Sequence, residues 1–125
     1  MAAVLADSSV WVAHFRKSNR LLQSLLATDQ VLCHPLILLE LACGTPPAPR
    51  ERTLGDLKML QQSVVATTEE MLELVEREQL EDFCCGAVDM SLLASVLLTS
   101  DTLLWTVDKN LDALSTRMGV AFRSV

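Results

Sequence analysis

No two cysteines in this 125-residue chain stand two residues apart. Finger and ribbon zinc sites are built on such pairs, so Cys33, Cys43, Cys84 and Cys85 do not read as a zinc cluster. Nor do they read as a disulfide framework in a chain that is 50% hydrophobic; reduced, buried thiols in the cytoplasm fit better. No stretch approaches the roughly twenty uncharged residues of a membrane span. The opening Met-Ala-Ala-Val-Leu-Ala-Asp lacks the basic segment of a secretory signal. Internal repeats and low-complexity segments are also missing. What remains is one domain over residues 1–125, cytoplasmic and without a membrane partner, long enough to bury a core and too short for a second.

Positive charge is in deficit as well, with a net charge of −6 that argues at first against a nucleic-acid partner. Its distribution weakens that objection. Residues 69–82 hold seven acids and the single base Arg77, and therefore carry the whole −6. Elsewhere nine acids face nine bases. The acidity is one helix face rather than a global field, and any of the other acids that bind cations leave the remaining surface net positive.

Short apolar runs alternate with helical patterns along the chain. The stretch VLADSSVWV, residues 4–12, sets the theme: a buried strand, an acid, two hydroxyls, then a helix. Strand one is read at Val4-Leu5-Ala6, with a helix at 9–16 and a second at 20–27. A second strand, Val31-Leu32-Cys33, precedes a helix at 36–43 that Pro35 opens and Gly44 stops. A polar helix at 50–62 leads to a third strand, Val64-Val65-Ala66. Thr67-Thr68-Glu69-Glu70 matches a capping box and starts an acidic helix at 69–78. After a loop at 79–86 come a long apolar helix at 87–99, a fourth strand at 103–107, a helix at 109–116 and a fifth strand, Val120-Ala121-Phe122. Strands alternating with helices imply an α/β fold, a three-layer α/β/α sandwich around a parallel five-stranded sheet.

Four acids are isolated among apolar neighbours. Asp7 is the sole charge in residues 1–15, Glu40 in 31–49 and Asp89 in 83–100, while Asp108 follows the uncharged strand 102–107. Burying an unpaired carboxylate costs several kcal/mol, so such acids are normally paired or bound to metal. Asp7 and Asp108 each end a strand at the carboxyl edge of the sheet, where open α/β sheets collect their ligands. Asp89 shares a helix face with Leu92, Leu93 and Val96, and Glu40 is read on the buried side of its helix. Four carboxylates in one cleft repel, by roughly 4 kcal/mol for a close pair at an effective dielectric near 20. Hard divalent cations remove that repulsion, and all-oxygen ligands select Mg²⁺ or Mn²⁺. Taken singly, Asp7 also reads as a helix cap and Asp108 as a turn or cap residue.

The segments VLADSSVWV, HPLILLELACG, GAVDMSLLASVLL and LLWTVDKNL, in this order and spacing, resemble the PIN-domain nucleases, and among them the VapC-type toxins of bacterial type II toxin–antitoxin pairs. The resemblance covers nearly the whole chain. It implies strand order 3-2-1-4-5, a homodimer, Mg²⁺-dependent endoribonuclease activity on RNA, and inhibition by a cognate antitoxin protein. Carried over residue by residue, Asp7, Glu40, Asp89 and Asp108 fall on the family's acidic quartet and are the expected catalytic and metal-binding residues. Ser8 falls on the hydroxyl position that follows the first acid, where it orients a ligand or water. The segment Phe83-Cys84-Cys85-Gly86 departs from the family, which carries a glycine-rich loop with a basic residue there.

The expected reaction is hydrolysis of RNA phosphodiesters by metal-activated water, one ion held mainly by Asp7 and Asp89 and a second near Glu40 and Asp108. Asp112, one turn after Asp108, reads as a supporting acid or a favourable N-terminal helix charge. Arg16, Lys17, Arg20, Arg50 and Arg52 are candidate RNA contacts through phosphate charge, or else solvated surface, and Lys109 adjoins Asp108. His14 and His34 read as structural rather than as parts of a Cys–His or Ser–His hydrolase. Receiver and haloacid-dehalogenase readings fail on Thr67-Thr68 and on Ser9, which stand where further acids are needed. A catalytically silent binding module of the same fold is the alternative. Leftover apolar surface such as Leu97 and Leu98 offers a dimer or antitoxin contact.

Overall fold

The computed structural model describes residues 2–123. Its centre is β1 (Ala3–Ala6), whose Val4, Leu5 and Ala6 are all buried. Successive strand residues point to opposite faces, so burial of all three means that helices cover both faces of the sheet. The same holds for β2 (Val31–Cys33). β1 pairs with β4 (Thr102–Trp105) on one side and with β2 on the other, and β3 (Gln61–Gln62) flanks β2. The sheet is parallel and four-stranded, in the order 3-2-1-4.

The strand helices are α1 (Ser8–Arg16), α2 (Arg20–Ala27), α3 (Pro35–Cys43), α4 (Arg50–Lys58), α5 (Thr68–Glu78), α6 (Ala87–Leu98) and α7 (Lys109–Arg117). Local chemistry places their ends. Asp7 and Asn19 cap α1 and α2, and Thr67 with Glu70 forms a reciprocal capping box at α5. His34 caps α3 through Nδ1, which accepts from the Leu36 N–H, while its Nε2 meets Ser95 Oγ on α6 at 3.1 Å. α6 has seven consecutive buried residues, Met90–Val96, and packs on α5 and β4. Gly119 takes φ +74 to turn the chain out of α7, a conformation that costs a side-chain-bearing residue strain.

Two expected strands take other forms. The third strand lies at Gln61–Gln62 rather than at Val64-Val65-Ala66. The Val64 N–H donates instead to Thr99 Oγ1 and the Ala66 N–H to Ser95 Oγ, so side chains of α6 and of the residue that ends it satisfy that backbone in place of a ladder. The expected fifth strand reduces to one parallel bridge, Leu104 with Ala121, made by the Leu104 N–H to Val120 O and the Phe122 N–H to Leu104 O. The polar helix ends at Lys58, four residues early, and the loop after α5 contains a 3₁₀ turn at Glu81–Phe83. No helix among the described residues is long and apolar enough to cross a membrane.

Candidate active site

Parallel pairing brings the carboxyl ends of β1 and β4 side by side. Ala6 is in register with Trp105, and the Asp7 N–H donates to Trp105 O at 2.9 Å. Asp7 therefore stands beside Thr106 at the edge where Asp108 follows. Helix α3, entered directly from β2, brings Glu40 towards the same edge, and α6 presents Asp89 from its first turn.

Asp7 is buried, and its Oδ1 accepts from the Val10 N–H and the Ser9 hydroxyl. Burial pushes its carboxyl above the ordinary range, and hydrogen bonds from Ser9, Thr106 and Val10 pull it part of the way back. Asp108 is exposed and caps α7, with Oδ2 accepting from the Leu111 N–H at 2.9 Å. Both capping roles foreseen for these acids are real.

Asp89, half-buried, is pushed up by burial first and then by the negative charges of Asp108, Asp7 and Glu40. Asp89 thus feels the three other carboxylates, the first of which lies 82 positions before it and the last 19 after it. Neither of the ion pairs found among the described residues, Arg77–Glu78 and Arg123–Asp112, neutralises any of the four. An all-carboxylate, uncompensated set has the chemistry of a hard-cation site. Among the described residues no three Asp, Glu, His or Cys side chains already form a ligand cluster. Three of the four acids are turned to donors of their own: Asp7 to Ser9 and Val10, Asp108 to Leu111, and Glu40 to Ser8, whose Oγ donates to Oε1 at 2.8 Å.

Glu40 corrects one expectation. It is exposed rather than on the buried side of α3, because Ile37 and Leu41 form the buried stripe and Glu40 faces the hydroxyl of Ser8. Asp112 is half-buried and paired with Arg123 at 2.6 Å. Of the five candidate cations, Arg16 shares a concavity with Glu40, Val12 and Phe15. The Arg50 guanidinium is taken by the carbonyls of Ala42 and Gly44 at the end of α3. Lys17, Arg20 and Arg52 are exposed.

Three contributors escaped the sequence reading. Ser9 donates to Asp7 and accepts the Val107 N–H at 3.1 Å, and Thr106 Oγ1 accepts the Asp108 N–H at 3.0 Å. These hydroxyls tie the loop bearing Asp108 to the carboxylate of Asp7, and the polar residues next to each acid were the available signal. Cys85 is the third: burial, then the charges of Asp89 and Asp108, push its thiol up to about 11, which puts it at the rim of the cluster.

The family model of the PIN domain matches residues 4–116. Ribonuclease VapC32 of Mycobacterium tuberculosis, from strains CDC 1551 / Oshkosh and ATCC 25618 / H37Rv, is 43% identical over 118 residues, covering 94% of this chain and 94% of the relative.

Proposed function

This chain belongs to the PIN-domain family, and from that premise we propose that it is a VapC-type endoribonuclease, dependent on Mg²⁺ or Mn²⁺ and acting as the toxin of a type II toxin–antitoxin pair. The observation that carries the proposal is the approach of Asp7, Asp108, Asp89 and Glu40 to one end of the sheet, with no ion pair to any of the four among the described residues; Asp89 is pushed up by burial first and then by the other three charges. RNA as substrate is supported by the name of the matched relatives.

Asp7, Glu40, Asp89 and Asp108 would hold the ion. When bound, it supplies Lewis acidity at the phosphate and lowers the pKa of a coordinated water. The chain's own work is to aim the acids and, at Asp7, to favour the charged form against burial. Ser9 and Thr106 hydrogen-bond Asp7 and oppose the effect of its burial. Ser8 fixes Glu40, and the first turn of α7 fixes Asp108. Water is the nucleophile, so products carry a 5′-phosphate and a 3′-hydroxyl. The exposed Leu97 and Leu98 at the end of α6 offer apolar surface for a homodimer or antitoxin contact, and the cognate antitoxin is the second partner. A silent binding module would not need four uncompensated carboxylates at one sheet edge.

The deciding experiment incubates the purified chain with end-labelled RNA and Mg²⁺ or Mn²⁺, with a chelated control. Expected are endonucleolytic cuts that vanish with chelator and fragments bearing 5′-phosphate. Cleavage that survives chelation, or 2′,3′-cyclic phosphate ends, would overturn the proposal.

A further inference from the structure

We propose that the hollow on the Asp108 side of the acids is a nucleotide subsite for single-stranded RNA, with Lys109 and Arg123 as its phosphate ligands and the Trp105–Phe122 pair as its base platform. This deepens the nuclease reading and rests on it. The hollow measures about 420 Å³, within the roughly 300–1,000 Å³ usual for small-molecule sites. Asp108 belongs both to its wall and to the acidic set. A strand whose scissile phosphate lies on the acids therefore continues into the hollow with its next nucleotide.

The lining has the chemistry of a single-strand site, cations for the backbone beside aromatic surface for a base. Trp105 and Phe122 meet with ring centroids 5.1 Å apart at 50°, and both are half-buried, so each keeps exposed ring surface. The concavity on the other flank, beside Glu40, offers Arg16 as its cation and has Phe15 for its aromatic. The Asp108 side is the richer of the two.

Arg123 reaches the hollow only because the bridge of Leu104 with Ala121 lays residues 120–123 along β4. It lies beyond the family match at 4–116. Its Nη1 donates to Asp112 Oδ1 and its Nη2 to Thr116 Oγ1, each at 2.6 Å. With side chains 55% and 40% exposed, the Arg123–Asp112 pair adds little to stability. What it does, with the longer bond from Nη1 to Phe122 O at 3.4 Å, is fix the direction of a planar guanidinium whose Nε–H and second Nη2–H have no partner among the described residues and can meet a phosphate. Asp112 is thus a positioning residue for Arg123.

The test measures binding of a short fluorescein-labelled single-stranded RNA by anisotropy across a salt series. It uses the full chain carrying Asp89→Asn, so that the RNA is not cut. Adding Arg123→Gln is expected to weaken binding about fivefold or more and to flatten the log–log salt slope by about 0.7, one phosphate contact. Arg123→Lys restores most of both. Lys109→Gln, which leaves the 120–123 segment untouched, repeats the slope change even should Arg123 variants fold poorly. Phe122→Leu weakens binding with the slope unchanged, because stacking releases no counterions. Binding and slope unmoved by both Arg123→Gln and Lys109→Gln would overturn the subsite. So would equal losses in Asp112→Asn and Arg123→Gln without a slope change, since that is a structural staple. Cleavage by the unsubstituted chain, assayed in parallel, separates the two failures: no cleavage sinks the nuclease reading, and cleavage with unmoved binding sinks the subsite alone.

Discussion

Replacing Asp89 by Asn removes the charge that the three other carboxylates act on, and its effect on stability should be opposite in sign to its effect on activity. At an effective dielectric near 20, two unit charges about 8 Å apart repel by roughly 2 kcal/mol. Asp89 is only half-buried, so solvent and salt reduce the recoverable part to about 1 kcal/mol. Without added divalent ions, Asp89→Asn is expected to melt about 4 °C above the unsubstituted chain. Asn keeps the size of Asp, and the Asp89 side chain caps nothing: α6 has no side-chain cap bond. Millimolar Mg²⁺ or Mn²⁺ should then raise the melting temperature of the unsubstituted chain but not of the variant, because binding to the folded state alone stabilises it. RNA cleavage by the variant should be abolished. Thermal melts with and without metal read the first two outcomes and a cleavage assay the third. A variant that melts lower in metal-free buffer, or that gains from metal as much as its parent, would show that the acids do not share a field that a cation relieves.

Asp108 separates structure from chemistry differently: Asp108→Ala should lose about 1 kcal/mol through the α7 cap, Asp108→Asn almost none, and both should lose cleavage. Ser9→Ala breaks the link from Asp7 to the Val107 N–H, and should cost about 1–2 kcal/mol in denaturant melts and lower kcat with the fold intact. Burial holds His34 below its ordinary pKa of 6.5. The unfolded chain therefore binds the extra proton first, so this stabilisation is complete above pH 6.5 and is lost as pH falls, at up to about 1.4 kcal/mol per unit. Asp7 and Asp89 act oppositely: their raised carboxyls cost stability above 3.8, a cost relieved as pH falls. Comparing the unsubstituted chain with His34→Asn, which keeps an α3 cap, isolates the imidazole; parallel pH–stability curves below 6.5 would refute its part.

Elements whose backbone and side chains agree were legible in advance. The strand at Val31–Cys33 and the helix at Arg20–Ala27 were placed to the residue, and the Thr67–Glu70 box marked the start of α5. Misplacement occurred where backbone partners decide. Gln61 and Gln62 pair with Leu32 and Cys33 on an exposed edge, where side-chain hydrophobicity says nothing about pairing, while the more apolar Val64-Val65 stays out of the ladder. Glu40 was legible as an isolated acid, yet its exposure depended on where the α3 stripe falls relative to Ser8. Arg123 was not singled out, although the strand expected at Val120-Ala121-Phe122 beside strand four already carried it towards Asp108, as the Leu104–Ala121 bridge does.

Mn²⁺ binding, followed by electron paramagnetic resonance on the full chain, bears most directly on whether Asp7, Glu40, Asp89 and Asp108 serve one metal site. The unsubstituted chain should bind Mn²⁺ in competition with Mg²⁺, and Asp7→Asn, Glu40→Gln, Asp89→Asn and Asp108→Asn should each weaken that binding by about tenfold or more. No Mn²⁺ binding by the unsubstituted chain, or binding that none of the four substitutions disturbs, would contradict a shared site.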